Sequence, residues 1–331
     1  MLEIDGSYGE GGGQLVRTAV ALSAVTGTGV KIKNIRKNRP NPGLKQQHLK
    51  ALETAAKICE AEIFGLFPGS TELSFVPVEI KGGKYEIDIG TAGSISLLLQ
   101  CLMPALPFSK KKVELLIRGG TDVAWAPTID YLQNVTFKAL ERLGYTGNII
   151  LKKYGYYPKG GGEVSAFFEP CKLKGFHFSR ESEEIKGVSH ASNLPAHVPL
   201  RQAEAAKLKL LEAGYPSEIE NKSFEFLSTG SGITLWAGFS GGSALGKKGL
   251  PAEKVGQHAA EEIIKELASG AAVDVYLADQ LIPYMALSGS SSYTVREISL
   301  HAATNIWITE QLLDVKFNIE EKKGLFEISV N

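Results

Sequence analysis

An α+β protein is predicted, built from three copies of one helix–strand–helix–strand–strand unit, with a small α/β domain set in ahead of the third copy. Three observations predict it. A helix rich in small and apolar residues, an alternating strand, an amphipathic helix and two short strands recur along the chain. The first two occurrences lie about 80 residues apart, whereas the third helix pair follows the second by about 185. That difference leaves about 90 surplus residues, near 180 to 271, with strand and helix signals of their own. The common βαββ grammar of α+β proteins would give a similar pattern, so repetition and grammar both stay open at this level.

In chain order, the short strand LEID leads through a glycine-rich turn to the helix QLVRTAVALSAVTG, the strand VKIKNIR, the helix HLKALETAAKICEA and the extended pieces AEIFG and ELSFVPV. The second unit runs SISLLLQCLMPALPF, KVELLIRGG, PTIDYLQNVTFKALERLG, NIILKKYGYY and GEVSAFFEP. The third runs DQLIPYMALSG, YTVREISL, HAATNIWITEQLL, VKFNIEE and LFEISVN. Between them the surplus segment offers the strand EIKGVSHAS, the helix RQAEAAKLKLLEAG, the strand ITLWAGFS and the helix EKVGQHAAEEIIKELAS. The expected domains are therefore residues 1–179 with 272–331, and 180–271.

With 331 residues and 44% hydrophobic content the chain can bury a sizeable core, on the length prior in about two domains. Its 36 Lys and Arg cancel 36 Asp and Glu, so no global field draws it to nucleic acid or membrane and any basic site is local. Three scattered cysteines without a CxxC pair argue against a disulfide framework or a cysteine zinc site and suit a reducing cytosol. The acidic, glycine-rich start is unlike a signal peptide, and no apolar run approaches the ~18 residues of a membrane span, so a cytoplasmic protein with no membrane partner is expected.

Two stretches are candidate phosphate sites. GSYGEGGGQLVR, at positions 6 to 17, opens a helix with exposed backbone N–H groups, and adds Glu10 for a divalent cation with Gln14 and Arg17 for phosphate; a tight turn alone would also need such glycines. KIKNIRKNRPNPGLKQQH holds Lys31, Lys33, Arg36, Lys37, Arg39 and Lys45 without an acidic residue, which reads as a loop presenting Arg36 and Arg39 to polynucleotide phosphates, or as an ordinary exposed basic loop. GGSALGKK approaches a phosphate-binding loop, but Lys248 stands where Ser or Thr is needed, and YPKGGGE reads as a turn. His190 and His197 lack helical zinc spacing, so histidine is not expected to bind metal. His301 opens an apolar helix, with Asn305 one turn on, within reach of ring or backbone; Asp279 and Gln280 head the helix expected beside it. An unprotonated imidazole is a competent nucleophile toward phosphorus, and a lone histidine at a helix start is also a common structural residue; the pattern leaves both open.

Taken in order, GEGGGQLVR, IRKNRPNPGLKQQH, IGTAGSISLLLQ, GGTD, YPKGGGEV, YLADQL and HAATNIW resemble the RNA 3'-terminal phosphate cyclase family over nearly the whole chain. The resemblance implies three βαβαββ-type repeats like those of enolpyruvyl transferases, with a small inserted α/β domain before the third. It implies ATP-dependent conversion of an RNA 3'-phosphate into a 2',3'-cyclic phosphodiester, with Mg²⁺ or Mn²⁺, releasing AMP and pyrophosphate. His301 matches the nucleophile that becomes histidyl-AMP. Gln100, Pro127, Tyr276, Leu277, Ala278, Asp279 and Gln280 match ATP-contacting positions, Glu10 the metal carboxylate, and Arg17, Arg36, Arg39, Gln47 and His48 the residues that handle phosphates at the RNA end. A homodimer accords with the family, although no seam shows. The resemblance weakens in the inserted segment, where Pro199 and Leu200 replace small and acidic residues.

Rival readings are a non-catalytic relative acting in ribosomal RNA processing, a carboxyvinyl transferase and a plain RNA-binding module. His301 argues against the first, the basic loop and the adenylate-type motifs against the second, and YLADQ with the glycine-rich turn against the third.

Overall fold

Strand β1 (Leu2–Asp5) leads into helix α1 (Gly13–Thr26), whose small and apolar residues are buried on nearly every side, as a core helix requires. Strand β2 (Val30–Lys33) buries Val30 and Ile32 and turns Lys31 and Lys33 outward. Helix α2 (Gln46–Cys59), β3 (Glu62–Phe64) and β4 (Leu73–Val76) follow. The sheet order is β1-β2-β4-β3, with β1 parallel to β2 and the other pairs antiparallel. The computed structural model describes residues 1–181 and 184–331; residues 182 and 183, in the expected insertion, lie outside the described residues.

The next segment holds β5 (Gly83–Asp88), α3 (Ile95–Leu102), β6 (Val113–Gly119), α4 (Ile129–Tyr131), α5 (Lys138–Arg142), β7 (Gly147–Lys153) and β8 (Gly162–Phe168), with a π-helical stretch, Leu132–Phe137, joining α4 to α5. Its sheet, β5-β6-β8-β7, has the same order and the same pairing senses as the first. Strand β5 escaped the sequence reading because it is a polar edge strand that fully buries only Ile87. Helix α3 ends at Leu102, short of the expected apolar run, because Pro104 and Pro107 lack the N–H that would extend it.

Residues 185–269 form β9 (Ile185–Ser192), α6 (His197–Glu212), β10 (Ser217–Phe224), β11 (Gly230–Ala237), β12 (Ser240–Leu245) and α7 (Ala252–Ser269). These strands pair in the order β10-β9-β11-β12 around a separate apolar cluster that includes Leu210, Leu235 and Ile263. Gly241 to Leu245, within GGSALGKK, is therefore a paired strand and no phosphate loop. The chain closes with α8 (Val275–Ser288), β13 (Ser291–Val295), α9 (Leu300–Leu312), β14 (Phe317–Lys322) and β15 (Leu325–Val330), in an antiparallel sheet ordered β13-β15-β14. One core runs from Ile4 to Val330, and within it α1 packs on α9 and α9 on α8, so the first and last helices meet. Among the described residues no helix is long and apolar enough to cross a membrane.

A buried carboxylate joins three of these segments. Asp274 accepts the Tyr131 hydroxyl at 2.8 and 2.9 Å, the Gly241 N–H at 2.8 Å and the Leu277 N–H at 2.7 Å, tying α4, β12 and α8 together. Burial pushes its carboxyl up to about 7 against the pull of these donors. Tyr131→Phe removes one donor from a fully buried acceptor. It should cost about 1–3 kcal/mol, read as a lower urea midpoint with an unchanged slope; an unchanged midpoint would refute the tie.

Candidate active site

The glycine-rich turn is fixed from two sides before any ligand is considered. Gly9, at φ 60°, lies against Thr304 of α9, and the Glu10 N–H donates to the Thr304 hydroxyl at 3.2 Å. Gly13 faces the His48 ring so closely that a Cβ would fall 2.9 Å from its Cε1, so a side chain there would displace His48. Tyr8 stacks on Trp307 with ring centroids 3.9 Å apart. The turn thus delivers Gln14, Arg17 and Thr18, at i, i+3 and i+4, to one face of α1.

Opposite them, Ser299 caps α9 by accepting the Ala302 N–H at 3.0 Å, which sets His301 in the first turn. His301 Nδ1 contacts Gln14 Oε1, while the Gln14 amide nitrogen reaches Asp279 Oδ1 at 3.5 Å. With its oxygen set toward the ring, the amide accepts from Nδ1–H, and this assignment leaves Nε2 with a free lone pair. The His301 side chain is 49% exposed, so part of the ring meets solvent. Of the two expected partners, ring or backbone, Asn305 takes backbone and not the imidazole. It accepts the Thr18 hydroxyl at 2.9 Å and donates to the Asp279 carbonyl at 2.8 Å, locking α1, α8 and α9 in one register.

Charge around His301 is mixed. Glu10 Oε2 lies 3.9 Å from Nδ1 and is ion-paired with Arg39. Burial, then Arg17 and Arg39, lowers the His301 pKa, and the positive end of α9 disfavours imidazolium in the same sense. Burial pushes Asp279 up to about 8, against the pull of Arg17. A neutral, tethered imidazole among cations and one carboxylate suits nucleophilic attack on a phosphorylated ligand.

The profile of the family described as RNA 3'-terminal phosphate cyclase matches residues 8–319. The chain belongs to the RNA 3'-terminal phosphate cyclase family. It is 78% identical to the RNA 3'-terminal phosphate cyclase of Methanosarcina barkeri, covering 100% of both chains. It is 49% identical to that of Archaeoglobus fulgidus, over 98% of this chain and 99% of the relative, and 50% identical to that of Pyrococcus furiosus, over 98% and 96%.

The residues expected to bind ligands divide into those the cleft receives and those it does not. Gln100, Arg17, Asp279 and Gln280 line a narrow cavity of about 30 Å³ beneath α1 and α9, large enough for a water but not for a nucleotide. Within the expected segment 276–280, Tyr276 is exposed, but Leu277 and Ala278 are fully buried and offer a ligand no side chain. The Gln280 amide is spent on the Thr136 hydroxyl at 2.9 Å and the Tyr276 carbonyl at 2.9 Å. Pro127 is partly exposed, and its carbonyl accepts from Ser96 at 2.6 Å.

The basic loop is less open than its composition implied. Arg36 is buried at φ 55°, and its Nη1 donates to the carbonyls of Asn41 and Gly43 at 2.8 and 3.0 Å instead of facing outward. Lys31 pairs with Glu72 at 3.6 Å, and Lys33 with Glu3 at 2.9 Å. Gln47 lies in the first turn of α2, where its Cβ would stand 3.4 Å from a Cβ at Gly93. His48 Nδ1 accepts the Lys45 N–H at 3.1 Å, and burial with the nearby Arg17, Arg36 and Lys45 pushes its pKa down to about 3, so it stays neutral. Sequence reasoning passed over Gln14 as the tether of His301, together with Thr18 and Thr304, because polar residues on core helices carry no local signature of their partners.

A lowered pKa means that His301 is more than half neutral at pH 6.5. Its NMR titration should give a midpoint below 6.5, and Arg39→Gln should move it upward by removing a nearby cation. A wild-type midpoint at or above 6.5 would contradict this electrostatic account.

Proposed function

We propose that the chain converts an RNA 3'-terminal phosphate into a 2',3'-cyclic phosphodiester at the expense of ATP, with His301 as the adenylate carrier. What supports this reading is the His301–Gln14–Asp279 chain, which engages Nδ1 of a half-exposed imidazole and leaves Nε2 untethered. The name its relatives carry, RNA 3'-terminal phosphate cyclase, supports the reaction class.

In this reading Nε2 attacks the α-phosphorus of ATP. An N–P bond forms, the bond to the bridging oxygen breaks, and pyrophosphate leaves. An oxygen of the RNA 3'-phosphate then attacks the same phosphorus, releasing His301 and forming an RNA–AMP anhydride. Finally the vicinal 2'-hydroxyl, held by the ribose at high effective concentration, attacks the RNA phosphorus, passes its proton to solvent and expels AMP. Gln14 keeps Nδ1 protonated and the ring oriented throughout, while Arg17 and Arg39 stabilise charge on the transferring phosphoryl group. Of the ATP-contacting set, Tyr276 is exposed and Pro127 partly so, while Gln100 and Asp279 line the cavity.

Glu10 is the cleft carboxylate available to Mg²⁺ or Mn²⁺. One hard oxygen donor suits an ion that takes its other ligands from phosphates and water, provided Arg39 swings from Glu10 onto phosphate. A bound ion there would neutralise triphosphate charge.

The same reading extends to the fold. The two four-stranded sheets of identical order are taken as two copies of one unit. The β13-β15-β14 sheet is the third, its missing first strand supplied by Phe176–Phe178, which is bonded to Ser292 of β13. The 180–271 domain would then interrupt the third unit after its first strand.

The test is incubation with ATP labelled at the α-phosphate. Wild type should take up acid-labile, alkali-stable label and pass it to an RNA 3'-phosphate. His301→Ala should take up none, and Gln14→Ala should lose on the order of 10²-fold in adenylation rate as the ring loses its orientation. Absence of label on folded wild-type protein would sink the proposal.

A further inference from the structure

Three groups from separate segments meet outside this cleft. Asp122 follows β6, Asp130 lies in α4 and His190 in β9; all are buried, and their ligand atoms fall within 4.8 Å of one another. His190 Nε2 stands 3.3 Å from Asp122 Oδ1 and 4.0 Å from Asp130 Oδ2. Among the described residues neither Nε2 nor Asp122 Oδ1 has a hydrogen-bond partner, although both side chains are wholly shielded from solvent. Their surroundings are bonded, Asp130 Oδ2 included. Thr121 donates to Asp122 Oδ2 at 2.7 Å, Tyr154 donates to Asp130 Oδ2 at 3.0 Å, and the Tyr156 hydroxyl lies 2.6 Å from His190 Nδ1. The Tyr154 ring stacks on the imidazole at 3.9 Å and holds its plane.

Two buried atoms that face each other without a bond are costly, and two carboxylates outweigh one imidazole in charge. A cation between them removes both costs. We propose that Asp122, Asp130 and His190 form a site for one divalent transition-metal ion of the zinc or manganese class.

The spacing fits. Ligand atoms about 2.1 Å from a tetrahedral zinc stand about 3.4 Å apart, and the Nε2 to Oδ1 separation is 3.3 Å. Asp130 Oδ2, 4.0 Å from Nε2, stands wider and would have to move inward to join them. A metal-bound histidine ordinarily gives its second N–H to an oxygen, and Tyr156 supplies one at Nδ1; the Thr121 and Tyr154 hydroxyls support the carboxylates in the same way. Mixed imidazole and carboxylate ligation favours zinc or manganese over calcium. The site also has a structural consequence. Asp122 and Asp130 flank the loop that carries Pro127 and the 98% exposed Trp125, so an ion would pin both ends of that loop to β9.

The full chain, purified without metal-chelate resin and dialysed, should carry close to one zinc or manganese per chain by mass spectrometry. Glu10→Gln should retain it, which separates this ion from any at the cleft. Asp122→Asn and His190→Ala should weaken binding on the order of 10- to 100-fold or more. Because His190→Ala removes a buried ring and can itself unfold the chain, chelator-stripped Glu10→Gln protein should also be titrated with Zn²⁺, Mn²⁺ and Co²⁺. A melting temperature that rises to saturation at one equivalent, with tetrahedral cobalt absorption, supports the site, and the ion giving the larger rise identifies the class. A melting temperature indifferent to all three ions overturns it, as does unchanged metal content in folded Asp122→Asn. The group between Nε2 and Oδ1 is then a shared proton.

Discussion

The contact between α1 and α9 is the constraint on which the cleft depends. Thr18 to Asn305 at 2.9 Å, and Asn305 to the Asp279 carbonyl at 2.8 Å, are polar bonds inside an apolar helix layer. A slip of either helix would strand buried donors and acceptors, each at a cost of about 1–3 kcal/mol, so the register is strongly specified. That register brings Gln14, near the start of the chain, to His301, near its end. The glycine-rich turn contributes by fitting closely against His48 and Thr304 rather than by glycine content as such.

Electrostatics follows from this packing. The basic stretch from Lys31 to Lys45 has no acidic residue within it, yet Glu72, Glu3 and Glu10 arrive from elsewhere to pair with Lys31, Lys33 and Arg39. Arg36 satisfies loop carbonyls. The cleft is therefore a balanced set of charges in which Glu10 holds Arg39 beside the imidazole, and not an open field of positive charge. An anionic ligand would compete for that arginine, and release of Glu10 is the natural counterpart of its binding.

The segment from Ile185 to Ser269 has its own apolar core but is coupled to the rest through buried polar groups. Asp274 reaches Gly241, Tyr131 and Leu277, while His190 faces Asp122 and Asp130. Such contacts are directional, so they fix orientation where an apolar interface would permit sliding. The loop holding Pro127 lies between two of these anchors, which links the position of an adenine-contacting candidate to the junction between the two cores.

Elements with a strong period were legible in the sequence, because an amphipathic or wholly apolar pattern leaves few alternatives: α1, α2, α7, α9 and β6 all lie where the pattern put them. Strands β5, β10 and β12 were not, since β5 and β10 are largely polar and β12 reads as a glycine-rich turn; only pairing with neighbours makes them strands. His301, Glu10, Arg17 and Arg39 were visible as residue types within recognisable stretches. Tertiary structure alone decided which of them meet, that Leu277 and Ala278 belong to the core, that Arg36 turns inward, and that His190 faces two aspartates. The physical reason is that local sequence encodes periodicity and turn chemistry, whereas the partner of a buried polar atom is selected across the chain by the need to satisfy it.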